Sequence, residues 1–396
     1  MNTIDANEMD GPGPGEERIP RADWDRAPWN RYTFYHVRDW VRTTPVARGA
    51  ASPRAWPEAR QDIGGVAFEI DGRRQTMNEF LDSSYTDGFL VLHRGRLIAE
   101  RYENGMTSSS THLLQSVSKS VTGTLAGILI GRGQMRSDTL LTHYLPELEA
   151  TAYRGATLQH VLDMSSGVAW DENYTAPDSH MAQMDAACGW KARMNEHWPE
   201  CMWDLVLTLR ESCGEHGATF SYRSIETDVL GFVIERITGM RLAELVSCEL
   251  WAPMGAEADA YFSVDSSGFA CACGGFNTTL RDLARFAQLF ATEGSAGGRP
   301  IVPVAWIEKT RRGDHEVFRG AYREVLPDGA YRHQFWIEDA ARRALIGRGV
   351  FGQLIYIDPG AQFVAVKFSS WPVFVDANRS RTALTAVRAL RDALSG

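Results

Sequence analysis

The chain has 396 residues, of which 44% are hydrophobic, and its 41 basic and 50 acidic residues give a formal net charge of −9. This length leaves ample core for one large domain or two ordinary ones. The acidic balance argues against a nucleic-acid surface, and no apolar run is long enough to span a membrane. Residues 1–15 lack both the basic start and the apolar centre of a secretory signal, so we expect a cytoplasmic protein.

The cysteines and histidines give no indication of a metal site. None of the six cysteines forms a C-x-x-C pair, and no two histidines have the spacing of metal ligands. We therefore expect reduced thiols and no metal or other cofactor. Cys271 and Cys273 are too close in sequence to bond comfortably with each other, and we expect them to pack as small apolar side chains.

The first third of the chain contains one predicted hairpin and one predicted helix. Residues 1–60 are rich in proline and tryptophan and predict an extension that wraps the surface. The apolar residues 89–92 and 97–99 flank a turn, which indicates a β-hairpin. Apolar residues then recur at helical spacing from position 114 to 129, which predicts a helix that ends near Gly131 and Gly133.

The rest of the chain is mainly helical and returns to strands near its end. The predicted elements are helices over residues 228–237, 279–290 and about 380–394, and a hairpin with strands over residues 352–357 and 363–368. Strands near both ends with helices between them indicate an α+β fold, in which helices flank an antiparallel sheet and an all-helical domain is inserted. We assign residues 61–115 and 275–396 to the sheet domain, residues 116–274 to the mainly helical domain, and residues 1–60 to the extension.

Ser116 and Lys119 lie three residues apart at the start of the first predicted helix, which brings both side chains to one face. The lysine nitrogen can therefore reach the serine oxygen. Burial should lower the pKa of Lys119 and make it a base, and the free N–H groups at a helix start favour negative charge near Ser116. The pair is a candidate nucleophile with its own activator, although S-x-x-K occurs by chance in many helices.

Two further segments could complete such a site, and each has an ordinary structural alternative. Tyr222 could pass a proton from Lys119 to a leaving group, or could be a half-buried tyrosine at a helix entrance. Residues 347–352 match G-x-G-x-x-G, but a strand follows them, so the dinucleotide-binding interpretation fails. The glycines would allow close backbone approach at a sheet edge, where an N–H can hold a substrate oxygen, or would form a flexible turn.

In this order, the three motifs resemble those of the serine β-lactamase and penicillin-recognising family, over about residues 80–395. Further segments similar to that family lie at residues 143–148, 157–167 and 279–286. Within the family, the chain is most similar to the 6-aminohexanoate-dimer hydrolases, which act on nylon oligomers, and to related carboxylesterases. The similar segments are residues 85–92, 171–174, 188–190, 334–336 and 369–372. The resemblance implies a β-lactamase-like fold with Ser116 as nucleophile, Lys119 as base and Tyr222 as proton shuttle.

The resemblance also implies roles for residues around this centre. Tyr174 would close over the amide and hydrogen-bond its nitrogen, and Asp185 would hold a free ammonium group of the substrate. Trp190 would form a wall of the pocket. The oxyanion donors would be the backbone N–H groups of Ser116 and, from the glycine-rich strand, Val350.

The chain departs from the family at several positions of the implied pocket. Cys273 stands where relatives often carry histidine or asparagine, and Phe351 stands where they carry histidine. We expect both side chains to contact substrate. The lysine of the β-lactamase Lys-Thr-Gly strand is absent, so a penicillin carboxylate would lose its cationic partner unless Arg348 substitutes in part.

We therefore expect a serine hydrolase that cleaves a linear amide or an ester through an acyl-enzyme. Its expected partner is a small-molecule substrate, and we expect it to bind neither nucleic acid nor a membrane. The sequence leaves a homodimer as a possibility. A carboxylesterase of the same fold with little amidase activity is an alternative, because it would share every catalytic residue. A non-catalytic binding protein of this fold is the second alternative, which an intact Ser116, Lys119 and Tyr222 oppose.

Overall fold

The computed structural model describes residues 19–396, in which strands from both ends of the chain enclose a mainly helical middle. The strands are β1 (Thr43–Val46), β2 (Ala67–Ile70), β3 (Arg73–Thr76), β4 (Thr86–His93), β5 (Arg96–Tyr102), β6 (Thr111–Leu113), β7 (Ala260–Ser263), β8 (Phe276–Thr279), β9 (Ser295–Ala296), β10 (Arg299–Pro300), β11 (Ala330–Arg332), β12 (Phe335–Ile337), β13 (Leu345–Gly349), β14 (Gln353–Asp358) and β15 (Phe363–Ser369). The α-helices are α1 (Asn30–Thr33), α2 (Met77–Ser83), α3 (Ser118–Gly131), α4 (Leu141–Tyr144), α5 (Leu158–Leu162), α6 (His180–Ala187), α7 (Met202–Thr208), α8 (Ile225–Thr238), α9 (Leu242–Val246), α10 (Ala252–Met254), α11 (Leu280–Ala291), α12 (Val304–Arg312) and α13 (Ala377–Ser395).

Seven strands form one antiparallel sheet in the order β11-β12-β13-β14-β15-β4-β5. β4 and β5 are the first predicted hairpin, and the turn residues Arg94 and Gly95 have φ values of 49° and 70°, as a tight type I′ turn requires. β14 and β15 are the second predicted hairpin. β15 pairs with β4, with Val364 opposite Leu92, so the two sequence-distant hairpins meet inside one sheet. The predicted α+β class is confirmed.

The helices follow the predicted pattern, with differences at their ends. All residues from 118 to 129 of α3 are buried, so this helix is surrounded by protein and not only packed along one face. α8 starts three residues earlier than predicted and ends at Gly239, whose left-handed φ of 67° terminates it. α11 begins after Thr279, whose side-chain oxygen accepts a hydrogen bond from the Asp282 N–H at 3.1 Å.

The segment before residue 60 differs from the prediction. Within it, β1 joins a second sheet of order β1-β7-β8-β6, which was not predicted. Trp24, Phe34 and Trp40 are at most 2% exposed. Residues 19–46 are therefore part of the core and not a surface extension, because their aromatic side chains gain by leaving water. Residues 1–15, for which no secretory signal is predicted, lie outside the described residues.

Two smaller observations complete the fold. All six cysteines are free thiols, and Cys271 and Cys273 are buried. Within residues 19–396, no helix combines the length and the apolar character that crossing a membrane requires. The division into a sheet domain and a helical domain stays a prediction.

Candidate active site

Ser116 lies in a short 3₁₀ turn, Gln115–Val117, that leads into α3. The side chain of Ser118 holds this turn: its Oγ donates to the Gln115 carbonyl at 2.7 Å and accepts the N–H of Phe276 at 3.1 Å. Gln115 has a left-handed φ of 49°, a conformation that costs a non-glycine residue roughly 1–3 kcal/mol. The surrounding hydrogen bonds thus fix a strained residue directly before Ser116.

Lys119 contacts Ser116 as the spacing predicts. Its Nζ donates hydrogen bonds to Ser116 Oγ at 2.9 Å and to the backbone oxygen of Cys273 at 2.8 Å. The lysine is 1% exposed. Because both hydrogen bonds come from one buried nitrogen, the position of the lysine relative to the serine is closely defined.

The charge state predicted for Lys119 needs correction. Burial lowers the pKa of this lysine, but acidic groups around it raise the pKa by more, namely those of Tyr222, Cys273, Glu172 and Asp228. The pKa of Lys119 therefore lies above its ordinary value. The resting side chain is an ammonium, which has to lose its proton before the lysine nitrogen can act as a base.

Tyr222 is the titratable side chain nearest in role to this pair, and it faces Lys119 from the segment before α8. The Nζ atom of Lys119 lies 5.2 Å from the centre of the Tyr222 ring, and the side chains of Lys119 and Ser116 both act to lower the pKa of its hydroxyl. Its ring stacks on Trp336, with the ring centres 5.4 Å apart and the planes at 17°. Burial raises the pKa of Tyr222, and the opposing effect of Lys119 is smaller. Lys119 and Tyr222 therefore titrate as a coupled pair.

Glu172 organises the loop that carries Tyr174. Its carboxylate accepts hydrogen bonds from Trp170 Nε1 at 2.5 Å, from the Tyr174 hydroxyl at 2.7 Å, and from Ser224 N and Oγ at 2.8 and 2.5 Å. The Tyr174 ring also stacks on Phe374 at 5.4 Å. Because the Tyr174 hydroxyl donates to Glu172, its oxygen is left to accept a hydrogen bond from a substrate N–H.

β13 brings the glycine-rich segment next to Ser116. β12 pairs only with the first part of β13. Residues 347–349 therefore have a neighbouring strand, β14, on one side only. The sheet edge predicted here is thus limited to these three residues. A Cβ at Gly349 would lie 2.6 Å from the Leu114 carbonyl oxygen, so only glycine permits this approach. Val350 then starts a 3₁₀ turn. The first N–H groups of a helical turn have no acceptor within that turn. The backbone N–H of Val350 is therefore a suitable oxyanion donor.

Two cavities meet at Ser116. The larger, of about 340 Å³, lies towards α13 and is lined mostly by apolar side chains, together with Arg348 and the carboxylates Glu172 and Glu324. The smaller, of about 40 Å³, lies towards α6 and is lined by three methionines, Cys273, Trp190 and Asp185. Ser116, Tyr174, Val350 and Phe374 line both. A linear substrate could therefore extend to both sides of the serine.

The smaller cavity is acidic. It contains the Asp185 side chain and a second carboxylate, Asp25, which comes from the N-terminal segment and forms an ion pair with Lys191. Burial, with a contribution from the charge of Asp25, raises the pKa of Asp185 to about 7, against the opposing effect of Lys191. A cation in this cavity would therefore be stabilised by Asp185 and would favour its ionised form.

The other predicted pocket residues differ in position. Trp190 lines the smaller cavity and donates from Nε1 to Ser263 Oγ at 3.0 Å. Cys273 also lines it, and its backbone oxygen holds Lys119. Phe351 lines neither of these two cavities, which corrects its predicted substrate contact. Its side chain is 1% exposed and packs behind Phe374 at 4.6 Å, because a left-handed φ of 61° turns it into the core.

Three acidic residues of this region were not singled out from the sequence. Glu172 stands within a segment similar to the family, but nothing marks it as the acceptor of four hydrogen bonds. Asp228 could have been noticed in the sequence, because it is a charged residue among the buried positions of α8. Asp25 had none, since its approach depends on the path of the N-terminal segment.

Asp228 is a buried charge beside Lys119. It is fully buried, and its Oδ1 accepts the N–H groups of Ala272 at 2.8 Å and Cys273 at 3.4 Å. Within the part of the chain that the structure describes, Oδ2 has no hydrogen-bond partner. Burial raises the pKa of Asp228 to about 7. Above that pH the carboxylate is charged and favours the ammonium form of Lys119.

Replacing Asp228 with asparagine is expected to shift the alkaline rise of activity to lower pH. Asparagine keeps the shape and removes the charge, so the pKa of Lys119 falls, and the midpoint of kcat/KM against pH should drop by about half a unit to one unit. The profile should be recorded with an ester substrate between about pH 6 and 11. Glu235→Gln, a carboxylate of the same helix that pairs with Arg241, is the control with an unchanged midpoint. A shift to higher pH would contradict this electrostatic role.

The geometry agrees with the comparisons to known proteins. A model of the beta-lactamase family matches residues 60–389, and the chain belongs to this family. It is one of the serine hydrolases that act on amides and esters. The predicted family and fold are thereby confirmed.

Three individual proteins are similar to this chain in sequence, in structure or in both. The chain is 34% identical over 363 residues to a 6-aminohexanoate-dimer hydrolase of Paenarthrobacter ureafaciens, which covers 91% of this chain and 90% of the relative. A solved structure from Bacillus anthracis, assigned as a 6-aminohexanoate-dimer hydrolase, matches with a TM-score of 0.86 and 28% identity over 99% of both chains. EstCE1, a hydrolase with promiscuous acyltransferase activity, shares the fold with a TM-score of 0.63 at 18% identity, covering 81% of this chain and 96% of its own.

Proposed function

We propose that the protein cleaves linear amides built from short aminoalkanoate units, such as 6-aminohexanoate dimers, through an acyl-enzyme on Ser116. The main support is the 2.9 Å contact between Lys119 Nζ and Ser116 Oγ at the junction of two cavities. The identity of 34% to a 6-aminohexanoate-dimer hydrolase supports the substrate class. The methylene chains of such a substrate suit the apolar walls of both cavities.

In acylation, Ser116 Oγ attacks the amide carbon and its proton passes to the Lys119–Tyr222 pair. The reactive form of this pair has lost one proton, so that either the lysine nitrogen or the tyrosine oxygen can accept. The N–H groups of Ser116 and Val350 stabilise the oxyanion, and one such donor is typically worth about 3 kcal/mol. The C–N bond then breaks, and the pair returns the proton to the leaving amine.

In deacylation, water attacks the ester formed on Ser116 and gives its proton to the same pair. The C–Oγ bond breaks, the acid leaves, and Oγ recovers its proton. Because both steps begin with the deprotonated pair and both pKa values are raised, activity should increase as the pH rises above neutrality.

The acidic cavity orients the substrate. We place the free ammonium group of the acyl portion beside Asp185, and the leaving amine in the larger cavity. The amide N–H then faces Tyr174, whose oxygen can accept its hydrogen bond as the nitrogen becomes pyramidal.

Replacing Tyr174 with phenylalanine is expected to separate amide from ester hydrolysis. An amide loses the acceptor for its N–H, and kcat/KM should fall by about 10- to 100-fold. An ester has no such N–H, so its hydrolysis should change by less than about threefold. Matched amide and ester substrates with the same acyl group provide the measurement. An equal loss for both would show that Tyr174 acts in a step common to them.

A substrate panel tests the proposed function as a whole. It should contain 6-aminohexanoate dimers, 4-nitrophenyl esters and a chromogenic β-lactam, together with a fluorophosphonate probe. We expect hydrolysis of the dimers and esters and covalent labelling of the protein. Ester hydrolysis without dimer hydrolysis would favour the carboxylesterase alternative, and faster hydrolysis of the β-lactam would overturn the proposal.

A further inference from the structure

Arg348 is a cation in the larger cavity. It lies on β13 next to Gly347, whose missing side chain faces Ser120 of α3, so Arg348 points to the opposite face of the sheet. There it lines the cavity, and its guanidinium carbon lies 5.5 Å from the ring centre of Trp336. Trp336 in turn stacks on Tyr222. The guanidinium is therefore held on the same aromatic wall as the proposed proton shuttle.

Arg348 has no carboxylate partner among the described residues, whereas two more deeply buried arginines have one. Arg285 pairs with Asp282 at 3.0 Å, and Arg391 pairs with Asp358 at 3.5 Å. Among residues 19–396, no carboxylate forms an ion pair with Arg348, and burial lowers its pKa from the ordinary value. Arg348 is only partly buried, so solvent in the cavity can stabilise its charge. An anionic group of a ligand that enters the cavity would meet a guanidinium that no carboxylate of the described residues already occupies.

The carboxylates nearest to this cavity do not occupy that guanidinium. Glu172 lines it, but four hydrogen bonds from protein donors occupy its oxygens. Glu324 also lines it, on an exposed turn at the rim. Neither pairs with Arg348, so its guanidinium is free to receive an anionic group of a ligand.

We propose that Arg348 binds a carboxylate at the end of the leaving portion of the substrate. This inference rests on the proposed function for its orientation: an ammonium beside Asp185 and a carboxylate beside Arg348 define a zwitterionic substrate with its charges at opposite ends. A guanidinium binds a carboxylate through two parallel hydrogen bonds, which fixes direction as well as position. The two charged cavities thus determine which amide bond lies at Ser116.

Arg348→Met and Arg348→Lys test this assignment against a purely structural role on Trp336. Methionine keeps an apolar stem without the charge, and lysine keeps the charge without the planar fork. The substrates should be the 6-aminohexanoate dimer and the same dimer with a terminal carboxamide. We expect the ratio of kcat/KM for carboxylate over carboxamide to fall by about 10- to 100-fold in Arg348→Met, mainly through KM, and by less in Arg348→Lys. An unchanged ratio in Arg348→Met would overturn the proposal.

A binding measurement separates this inference from the proposed function. Calorimetric titration should compare hexanoate with hexanamide on the native protein and on Arg348→Met. Tighter binding of hexanoate that is lost in the variant supports the carboxylate site even if the dimer is not cleaved, in which case only the proposed substrate fails. Equal binding of hexanoate to both proteins overturns the site. Glu324→Gln is the control at the rim and should strengthen hexanoate binding slightly, because it removes a nearby negative charge.

Discussion

Replacing Ser116 with alanine is expected to reduce the hydrolysis of esters and amides alike by about 10⁴- to 10⁶-fold. The loss should be the same for both substrate classes, because both would form the acyl-enzyme on this oxygen. Labelling by a fluorophosphonate should also disappear, and mass spectrometry of the native protein should find the adduct on the peptide that contains Ser116. Residual activity above about one hundredth of the native value would contradict covalent catalysis at this residue.

Ser118→Ala is the matched control for this variant. Ser118 lies two residues further along the same motif, but its hydroxyl is occupied by hydrogen bonds to Gln115 and from Phe276. Its loss should lower the free energy of unfolding by roughly 1–2 kcal/mol and leave fluorophosphonate labelling intact. Labelling that depends on Ser118 and not on Ser116 would show that Ser118 is the nucleophile and would contradict the assignment to Ser116.

Replacing Lys119 with methionine is expected to lower kcat/KM by about 10³- to 10⁵-fold. The variant removes the hydrogen bonds to Ser116 Oγ and to the Cys273 carbonyl, and it leaves Tyr222 without the cation that lowers its pKa. The remaining activity should rise only at higher pH than in the native protein, because the unassisted phenol ionises later. Steady-state rates across the alkaline range measure both effects.

Lys367→Met shows whether such a loss is specific. Lys367 is also about 1% exposed and also contacts a serine, Ser369, but it lines neither cavity at Ser116. Burial lowers the pKa of Lys367 to about 7, so this lysine is already partly neutral near that pH. Replacing it with the uncharged methionine therefore removes little charge. Its replacement should leave kcat/KM within about threefold of native. Similar losses in the two lysine variants would indicate a general packing defect.

The parts of the site that could be predicted from the sequence are those set by local geometry or by motif order. Ser116 and Lys119 are one helical turn apart, and their contact follows from that spacing in any helix. The two hairpins follow from short apolar segments on either side of the turns at Gly95 and Gly360. Tyr222 and Val350 required the family resemblance, because their distance from Ser116 depends on how remote segments pack.

The parts that could not be predicted depend on several remote segments at once. The pKa of Lys119 is raised by groups from four separate positions, whereas burial alone would lower it. Phe351 was expected to face substrate, but its orientation is determined by packing on Phe34, 5.2 Å away, and on Phe374. Asp25 enters the smaller cavity only because Trp24 beside it packs against Trp190.

The contribution of Asp25 has a consequence for how substrate preference can change in this enzyme. The residue lies upstream of the region that the family model matches, residues 60–389. The acidic cavity is thus built from two stretches of the chain, with Asp185 inside that region and Asp25 outside it. A recombinant protein begun at residue 60 would lose Asp25 together with the buried side chains of Trp24, Phe34 and Trp40, so we expect it to be less stable as well as altered in this cavity. Substitution of Asp25 alone is therefore the smaller change that we expect to alter the charge of this cavity while Ser116, Lys119 and Tyr222 keep their positions.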